Sequence, residues 1–200
     1  MKKILKKFFS VNRIDLISKY FNLRNSSILE IGVHRGEFSK ELFNNYKPKK
    51  LVLVDPWIAF EDLIYKKSFY GNQSNDAQIL QDKYYNEVSN HFHKEILDGK
   101  VEIFRDTSEN FFKTNKTRFD FVYIDGNHLF EFVKKDILNS LDCLNDKAII
   151  VLDDYKLKGW WKDGVTDAVN FCLNQKKIRI IHSHNFFNYH HQCIVTKTKV

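Results

Sequence analysis

Short apolar runs rich in β-branched residues alternate along the chain with segments of helical period. This alternation predicts an α/β fold, in which a mostly parallel sheet is wound with helices on both faces. We predict seven strands, at residues 27–33, 50–54, 101–104, 119–124, 148–152, 178–183 and 191–196. The runs FDFVYI and AIIVL are apolar nearly throughout, as expected of strands covered on both faces. The predicted class is a Rossmann-like, doubly wound, seven-stranded sheet.

Two apolar stripes recur at helical spacing, and each predicts a helix packed on the sheet. The first stripe is Leu80, Tyr84, Val88, Phe92 and Ile96, and the second is Phe130, Val133, Ile137, Leu141 and Leu144. Only a short polar and aromatic stretch joins the last two strands, so we expect them to form a C-terminal antiparallel hairpin that closes the sheet.

The connection over residues 56–100 is far longer than an ordinary crossover. Its first part, residues 56–76, predicts an inserted lid or substrate segment, or alternatively an excursion that covers the sheet edge. Flat aromatic faces pack well on sugar rings. Six aromatic residues in the loops expected around a pocket mouth are candidates for this, with core packing as the alternative: Trp57, Phe60, Phe69, Tyr70, Trp160 and Trp161.

Composition and charge restrict the partners. The chain has 200 residues, 43% of them hydrophobic, with only 7 Gly and 2 Pro, which excludes a disordered or fibrous protein. The net charge is +7, but residues 1–24 hold seven basic residues and one acidic residue, so the remainder is nearly neutral. We therefore expect a basic N-terminal helical arm at 1–24 and a catalytic domain at 25–200, with nucleic acid an unlikely partner.

The arm and the cysteines suggest a location. Apolar residues beside the lysines of the arm allow weak contact with an anionic membrane, although a helix that caps the sheet or a contact in a homo-oligomer is the alternative. Three widely spaced cysteines without a CxxC pair indicate reduced thiols and a cytoplasmic protein. Four histidines near the closing hairpin indicate a polar surface or a metal site: His182, His184, His190 and His191.

The segment ILEIGVHRGEF follows the pattern of a ligand-binding turn after the first strand. Gly32 and Gly36 allow a sharp turn and close approach to a ligand, and Glu30 places a carboxylate at the strand end. Asp55 ends the second strand about 20 residues later, where an acid can accept ribose hydroxyls. A dinucleotide fingerprint would have glycine where His34 stands, which argues against an NAD-type site.

This pattern resembles motif I of the class I S-adenosylmethionine-dependent methyltransferases, and that resemblance implies S-adenosylmethionine as cofactor. Relatives in this superfamily place an acid and small polar residues around the adenine after the third strand. By that resemblance Asp106, Thr107 and Ser108 are candidate cofactor contacts. The two hydroxyl residues are equally placed to cap the following helix, which is the role we favour for them.

Carboxylates also end the fourth and fifth strands, at Asp125 and at Asp153 and Asp154. Close carboxylates repel by about 4 kcal/mol per pair at an effective dielectric near 20, so three of them call for a cation. Oxygen ligands favour Mg²⁺ or a similar divalent ion, which would bind an acceptor hydroxyl and lower its pKa. His128 is suited to remove the hydroxyl proton.

Asp-Gly-x-His after the fourth strand, a downstream Asp136 and Asp-Asp-Tyr after the fifth resemble the metal-dependent O-methyltransferases of macrolide sugars and glycan clusters. The resemblance spans about residues 27–172. It implies metal ligands at Asp125, Asp153 and Asp154 and a general base at His128. The expected activity is methyl transfer to a hydroxyl of a sugar, glycan or related small molecule.

An Asn/Asp-Pro-Pro-Tyr segment, expected of enzymes that methylate planar amino groups, is missing after the fourth strand, which favours an oxygen acceptor.

Two other classes of protein remain open. An NAD-type sugar oxidoreductase is opposed by His34 and by the three carboxylates. A noncatalytic adaptor that binds nucleic acid or a membrane through its basic arm is the second alternative.

Overall fold

The computed structural model describes residues 13–68, 70–71, 76–185 and 191–198. The strands are β1 (Ser27–Ile31), β2 (Lys50–Val54), β3 (Val101–Phe104), β4 (Phe119–Ile124), β5 (Leu144–Leu152), β6 (Ile178–Asn185) and β7 (His191–Lys197). The helices are α1 (Arg13–Tyr20), α2 (Glu37–Tyr46), α3 (Ala77–His91), α4 (His93–Leu97), α5 (Ser108–Thr114), α6 (Phe130–Asp142) and α7 (Gly164–Asn174), with a short 3-10 turn at Leu63–Tyr65.

All seven strands form one sheet in the order β3-β2-β1-β4-β5-β7-β6. The first five strands pair in parallel, and β7 runs antiparallel to both β5 and β6. The predicted fold class and hairpin are confirmed. The direction of winding reverses between β1 and β4, and such a reversal opens a crevice at the carboxyl ends of the strands.

Helices cover both faces because side chains alternate along each strand. Leu29 belongs to a cluster with Ile137 of α6 and Val169 of α7, whereas Ile28 belongs to a second cluster with Leu42 of α2 and Val88 of α3. The sheet is therefore the middle layer, and its strands are buried from both sides.

Several boundaries differ from the predicted ones. The first strand ends at Ile31 rather than at residue 33, because Gly32 leaves the extended conformation with φ 88°. The fifth strand starts earlier, at Leu144, with a register shift against β4. In the first stripe Val88 and Phe92 are buried, but the prediction was wrong for Leu80, which is 43% exposed in the first turn of α3.

Helix α1 is packed into the body. Ile14 and Ile17 are buried in the cluster that contains Leu42, so residues 13–20 of the predicted arm contribute to the core. Residues 1–12 lie outside the described residues. Within the described part of the chain, no helix is long and apolar enough to cross a membrane.

Candidate active site

A cavity of about 670 Å³ opens where β1, β4 and β5 end, under the segment that links β2 to α3. A volume of this size fits a drug-sized ligand. Its wall includes the turn after β1, the acids that end β4 and β5, and four of the predicted aromatic residues: Phe60, Tyr70, Trp160 and Trp161. Trp57 is fully buried and donates from its indole to the His34 carbonyl over 2.8 Å, so it packs in the core, and Phe69 lies outside the described residues.

The turn after β1 requires glycine. Gly32 has a positive φ, and a Cβ there would lie 2.2 Å from the Asp125 carbonyl oxygen. Gly36 also has a positive φ, and its Cβ would lie 2.8 Å from a methyl group of Val88. The backbone of the turn therefore packs directly against the end of β4 and against α3.

Glu30 places a carboxyl group in the cavity wall although only 1% of the residue is exposed. Burial raises its pKa to about 8, with the nearby Ser39 hydroxyl opposing part of the rise. Among the described residues its Oε2 has no hydrogen-bond partner. Buried polar atoms are normally paired. A ligand with a positively charged N–H donor would satisfy this one.

Asp55 is buried and already holds the turn in place. Its Oδ2 accepts hydrogen bonds from the backbone amides of Val33 and His34 over 2.8 and 2.9 Å, and its Oδ1 accepts from the amide of Trp57. The Tyr70 hydroxyl also donates to Oδ2 over 2.6 Å. A carboxylate offers about four acceptor positions. The predicted contact with ribose would therefore compete with Tyr70.

The side chains of the three polar residues after β3 contact different partners. The Asp106 carboxylate accepts hydrogen bonds at Oδ1 from the Thr107 amide and the Asn110 side chain, and the residue is not part of the cavity wall; its contact with the adenine stays a prediction. Thr107 lines the cavity and caps α5 by accepting from the Asn110 amide. Ser108 donates over 2.5 Å to Asp136, a buried cavity-lining acid whose pKa burial raises to about 7.

Asp125, His128 and Asp154 form a cluster that could hold a metal ion, with one ligand atom from each within 4.8 Å of the others. The His128 Nε2 lies 3.3 Å from an Asp125 oxygen and 3.4 Å from an Asp154 oxygen. Burial, followed by repulsion from Asp153, raises the pKa of Asp125 to about 7. Two carboxylates and an imidazole suit a divalent cation, which would offset this repulsion.

Asp153, which the sequence analysis grouped with the metal ligands, faces a different partner. Its Oδ2 lies 3.2 Å from Nη1 of Arg13, and its Oδ1 is buried without a hydrogen-bond partner among the described residues. Nη1 of Arg13 is also 3.7 Å from Asp125 and donates to the Tyr123 hydroxyl over 3.2 Å. The structure thus brings an arginine from α1 into the acidic site.

The sequence does not identify Arg13 as a site residue, because it stands among the basic residues of the predicted arm. The Tyr123 hydroxyl that it contacts also accepts from Gln192 of β7 over 3.0 Å. Apolar residues at 14, 17 and 21 have helical spacing, and this signal could have placed Arg13 on a packed helix.

The segment between β2 and α3 contacts the end of the cavity at which β4 and β5 end. Tyr65 accepts a hydrogen bond from the Asn127 side chain over 2.8 Å and packs edge-on against Trp160. The ring of Trp161 stacks on His128 with centroids 4.6 Å apart. Of the hairpin histidines, His182 contacts Tyr20, and His190 lies outside the described residues. Burial and repulsion from Asp153 raise the pKa of Asp154, and the neighbouring His191 opposes a small part of that rise.

The sheet order, the glycine turn and the acid-lined crevice define a class I S-adenosylmethionine-dependent methyltransferase. A family model described as a methyltransferase domain matches residues 29–155, more than half of the chain. The chain belongs to this methyltransferase family. No curated protein matches the sequence.

Solved structures share the fold at low identity. An O-methyltransferase from Streptomyces achromogenes, TomG, solved with S-adenosylmethionine, is 15% identical, with a TM-score of 0.64 over 97% of this chain and 86% of that one. An rRNA methylase from Streptococcus thermophilus is 14% identical, with a TM-score of 0.60 over 95% and 99%. The tRNA methyltransferase TrmK of B. subtilis is 10% identical, with a TM-score of 0.58 over 96% and 68%. Some of these structures are methylases of nucleic acids. The expectation that nucleic acid is an unlikely partner is therefore not supported.

Proposed function

We propose that the protein transfers a methyl group from S-adenosylmethionine to a hydroxyl of a sugar, glycan or related small molecule, with the help of a divalent cation. The observation that carries this proposal is the cluster of Asp125, His128 and Asp154 beside the crevice between β1 and β4. It combines cation ligands with a base, as deprotonation of a hydroxyl requires.

S-adenosylmethionine would supply the methyl group when bound. The residues of the crevice fit its charged methionine end, because the unpaired Oε2 of Glu30 can accept from an ammonium group. Gly32 leaves room for close approach of a ligand to the backbone. Thr107 and Ser108 border the same cavity on the β3 side, where they remain proposed contacts for the adenine end.

Asp125 and Asp154 would hold a divalent cation, which supplies a positive charge that lowers the pKa of a bound hydroxyl. Asp153 stays a proposed third ligand that would have to give up its contact with Arg13. In this proposal His128 is not a ligand of the cation: its Nε2 would accept the hydroxyl proton, and its ring is kept in place by the stacked Trp161. The aromatic lid limits the entry of water, which would compete with the acceptor.

Calorimetry with S-adenosylmethionine, with and without Mg²⁺, tests the cofactor part of the proposal. We expect binding in both conditions, and absence of binding in both would overturn it. Methyl transfer to monosaccharide glycosides and to RNA, assayed with and without a chelator, tests the rest. The proposal requires that the sugar is the methylated acceptor, and that a chelator or Asp154→Asn removes the activity. Methylation of RNA alone would contradict it.

A further inference from the structure

Arg13 enters the active site from α1, a part of the chain outside the sheet crossovers. Only 22% of its side chain is exposed, its Cζ lies 4.4 Å from the centroid of the Phe38 ring, and it lines the cavity. The polar contacts that tie its guanidinium to described residues all use Nη1, toward Tyr123, Asp153 and Asp125. A guanidinium has five N–H donors. One end of the group is thus anchored, and donors are left for a ligand in the cavity.

The charges around Arg13 identify that ligand group. Three acids line this end of the cavity, Glu30, Asp125 and Asp153, and they favour an ammonium group. A molecule that carries an ammonium and a carboxylate on one carbon also needs a donor for its carboxylate. Arginine is well suited to this, because its planar fork matches a carboxylate.

Two other permanent cations among the described residues line the cavity, and both lie elsewhere. Arg35 is exposed, with its Cζ 5.3 Å from the centroid of the Tyr84 ring. Lys67 is exposed on the lid segment. In the part of the chain that the structure describes, neither forms an ion pair with the acids that end β4 and β5, whereas Arg13 contacts two of those acids. Arg13 is therefore the cavity-lining cation that lies against the acids at the ends of β4 and β5.

We propose that Arg13 binds the α-carboxylate of the methionine part of S-adenosylmethionine. This inference rests on the proposed function, because it assumes that S-adenosylmethionine occupies the crevice. It makes α1 part of the cofactor site. It also separates two roles of the guanidinium, which pairs with Asp153 through one nitrogen and holds the ligand through the others.

Calorimetry with two ligands tests this assignment. Decarboxylated S-adenosylmethionine keeps the sulfonium, the amine and the nucleoside and lacks only the carboxylate. We expect the unaltered protein to prefer S-adenosylmethionine by about ten-fold or more, the factor typical of a hydrogen bond between charged groups. In Arg13→Met that preference falls close to one. In the control Arg35→Met, an exposed arginine of the same cavity wall, it is retained.

Failure of the Arg13 assignment and failure of the proposed function give different results in this experiment. If Arg13→Met weakens both ligands equally, or keeps the preference, Arg13 acts only as a partner of Asp153 and the inference is wrong. If the unaltered protein binds neither ligand, the proposed function fails instead. Thermal unfolding without ligand shows whether Arg13→Met folds. If it does not, Arg13→Lys decides, because it keeps the charge without the fork: a reduced preference supports the assignment, and an unchanged one overturns it.

Discussion

Glu30→Gln should make the protein more stable and weaken its binding of S-adenosylmethionine. Glu30 is 1% exposed, and burial raises the pKa of its carboxyl to about 8 from an ordinary value of 4.5. The folded protein therefore holds a proton that the unfolded chain releases between those two pH values. Stability linked to Glu30 is fully present below pH 4.5 and is lost as the pH rises toward 8.

The size of the effect follows from the same two pKa values. Each pH unit between them lowers the free energy of unfolding by about 1.4 kcal/mol. The protein therefore loses about 3 kcal/mol of stability between pH 4.5 and pH 7. The glutamine of Glu30→Gln is neutral at every pH, so the variant keeps these ~3 kcal/mol of unfolding free energy. For a chain of this length 1 kcal/mol corresponds to roughly 2–4 °C in Tm. We expect Glu30→Gln to unfold roughly 6–12 °C above the unaltered protein at pH 7, and the gap to shrink toward pH 5.

Thermal unfolding followed by circular dichroism from pH 5 to pH 8 measures this gap, with Glu131→Gln as the control. Glu131 is exposed on α6, where it pairs with Lys134, so its replacement should change Tm little at any pH. Calorimetry should show weaker binding of S-adenosylmethionine to Glu30→Gln, because glutamine cannot release a proton to become a carboxylate beside the ligand's ammonium group. A Tm gap that stays constant with pH would refute the reasoning about Glu30.

Three further changes probe the neighbouring residues. Asp154→Asn should weaken Mn²⁺ binding at least about ten-fold by removing one ligand of the cluster, as electron paramagnetic resonance of free Mn²⁺ would show; unchanged affinity would place the ion elsewhere. Tyr70→Phe removes the hydroxyl that occupies Asp55, so we expect S-adenosylmethionine to bind a few-fold more tightly in calorimetry; weaker binding would mean that Tyr70 itself holds the ligand. Gly32→Ala places a Cβ 2.2 Å from the Asp125 carbonyl oxygen at a positive φ, and it should lower the free energy of unfolding by about 1–3 kcal/mol or more in denaturant titrations; full stability would show that the turn can relax.

The strands were predictable because a doubly wound sheet imposes a strong local pattern. A strand covered on both faces is apolar at nearly every position, as in β4, where five of the six residues of FDFVYI are apolar. The glycine turn and the strand-end acids follow from the same topology, since ligands bind where parallel strands end. Gly32 and Asp125 carry these local signals, so the sequence alone predicts their positions.

The remaining site residues depend on contacts between distant segments, which a local pattern does not contain. Arg13 reaches Asp153 across 140 positions of the chain. Asp106 and Asp55 have the expected positions at strand ends, but hydrogen bonds decide where their carboxylates point. Asp106 turns to its own helix, and Asp55 holds the preceding turn. Sequence spacing places such a residue near the site without fixing what its side chain binds.

The acids of the proposed site explain why α1 contributes an arginine beside them. Burial raises the pKa values of Glu30, Asp125 and Asp136, so the unliganded protein gives up stability to keep these carboxyl groups away from water. Coulombic attraction to Arg13 opposes the rise at Glu30, and the guanidinium pairs directly with Asp153. Removing one member of a buried ion pair leaves the other uncompensated, at a cost of several kcal/mol. The buried face of α1 therefore has two effects: its apolar residues complete the core, and its arginine offsets the repulsion among acids that we propose as ligands of a cation and of a positively charged cofactor.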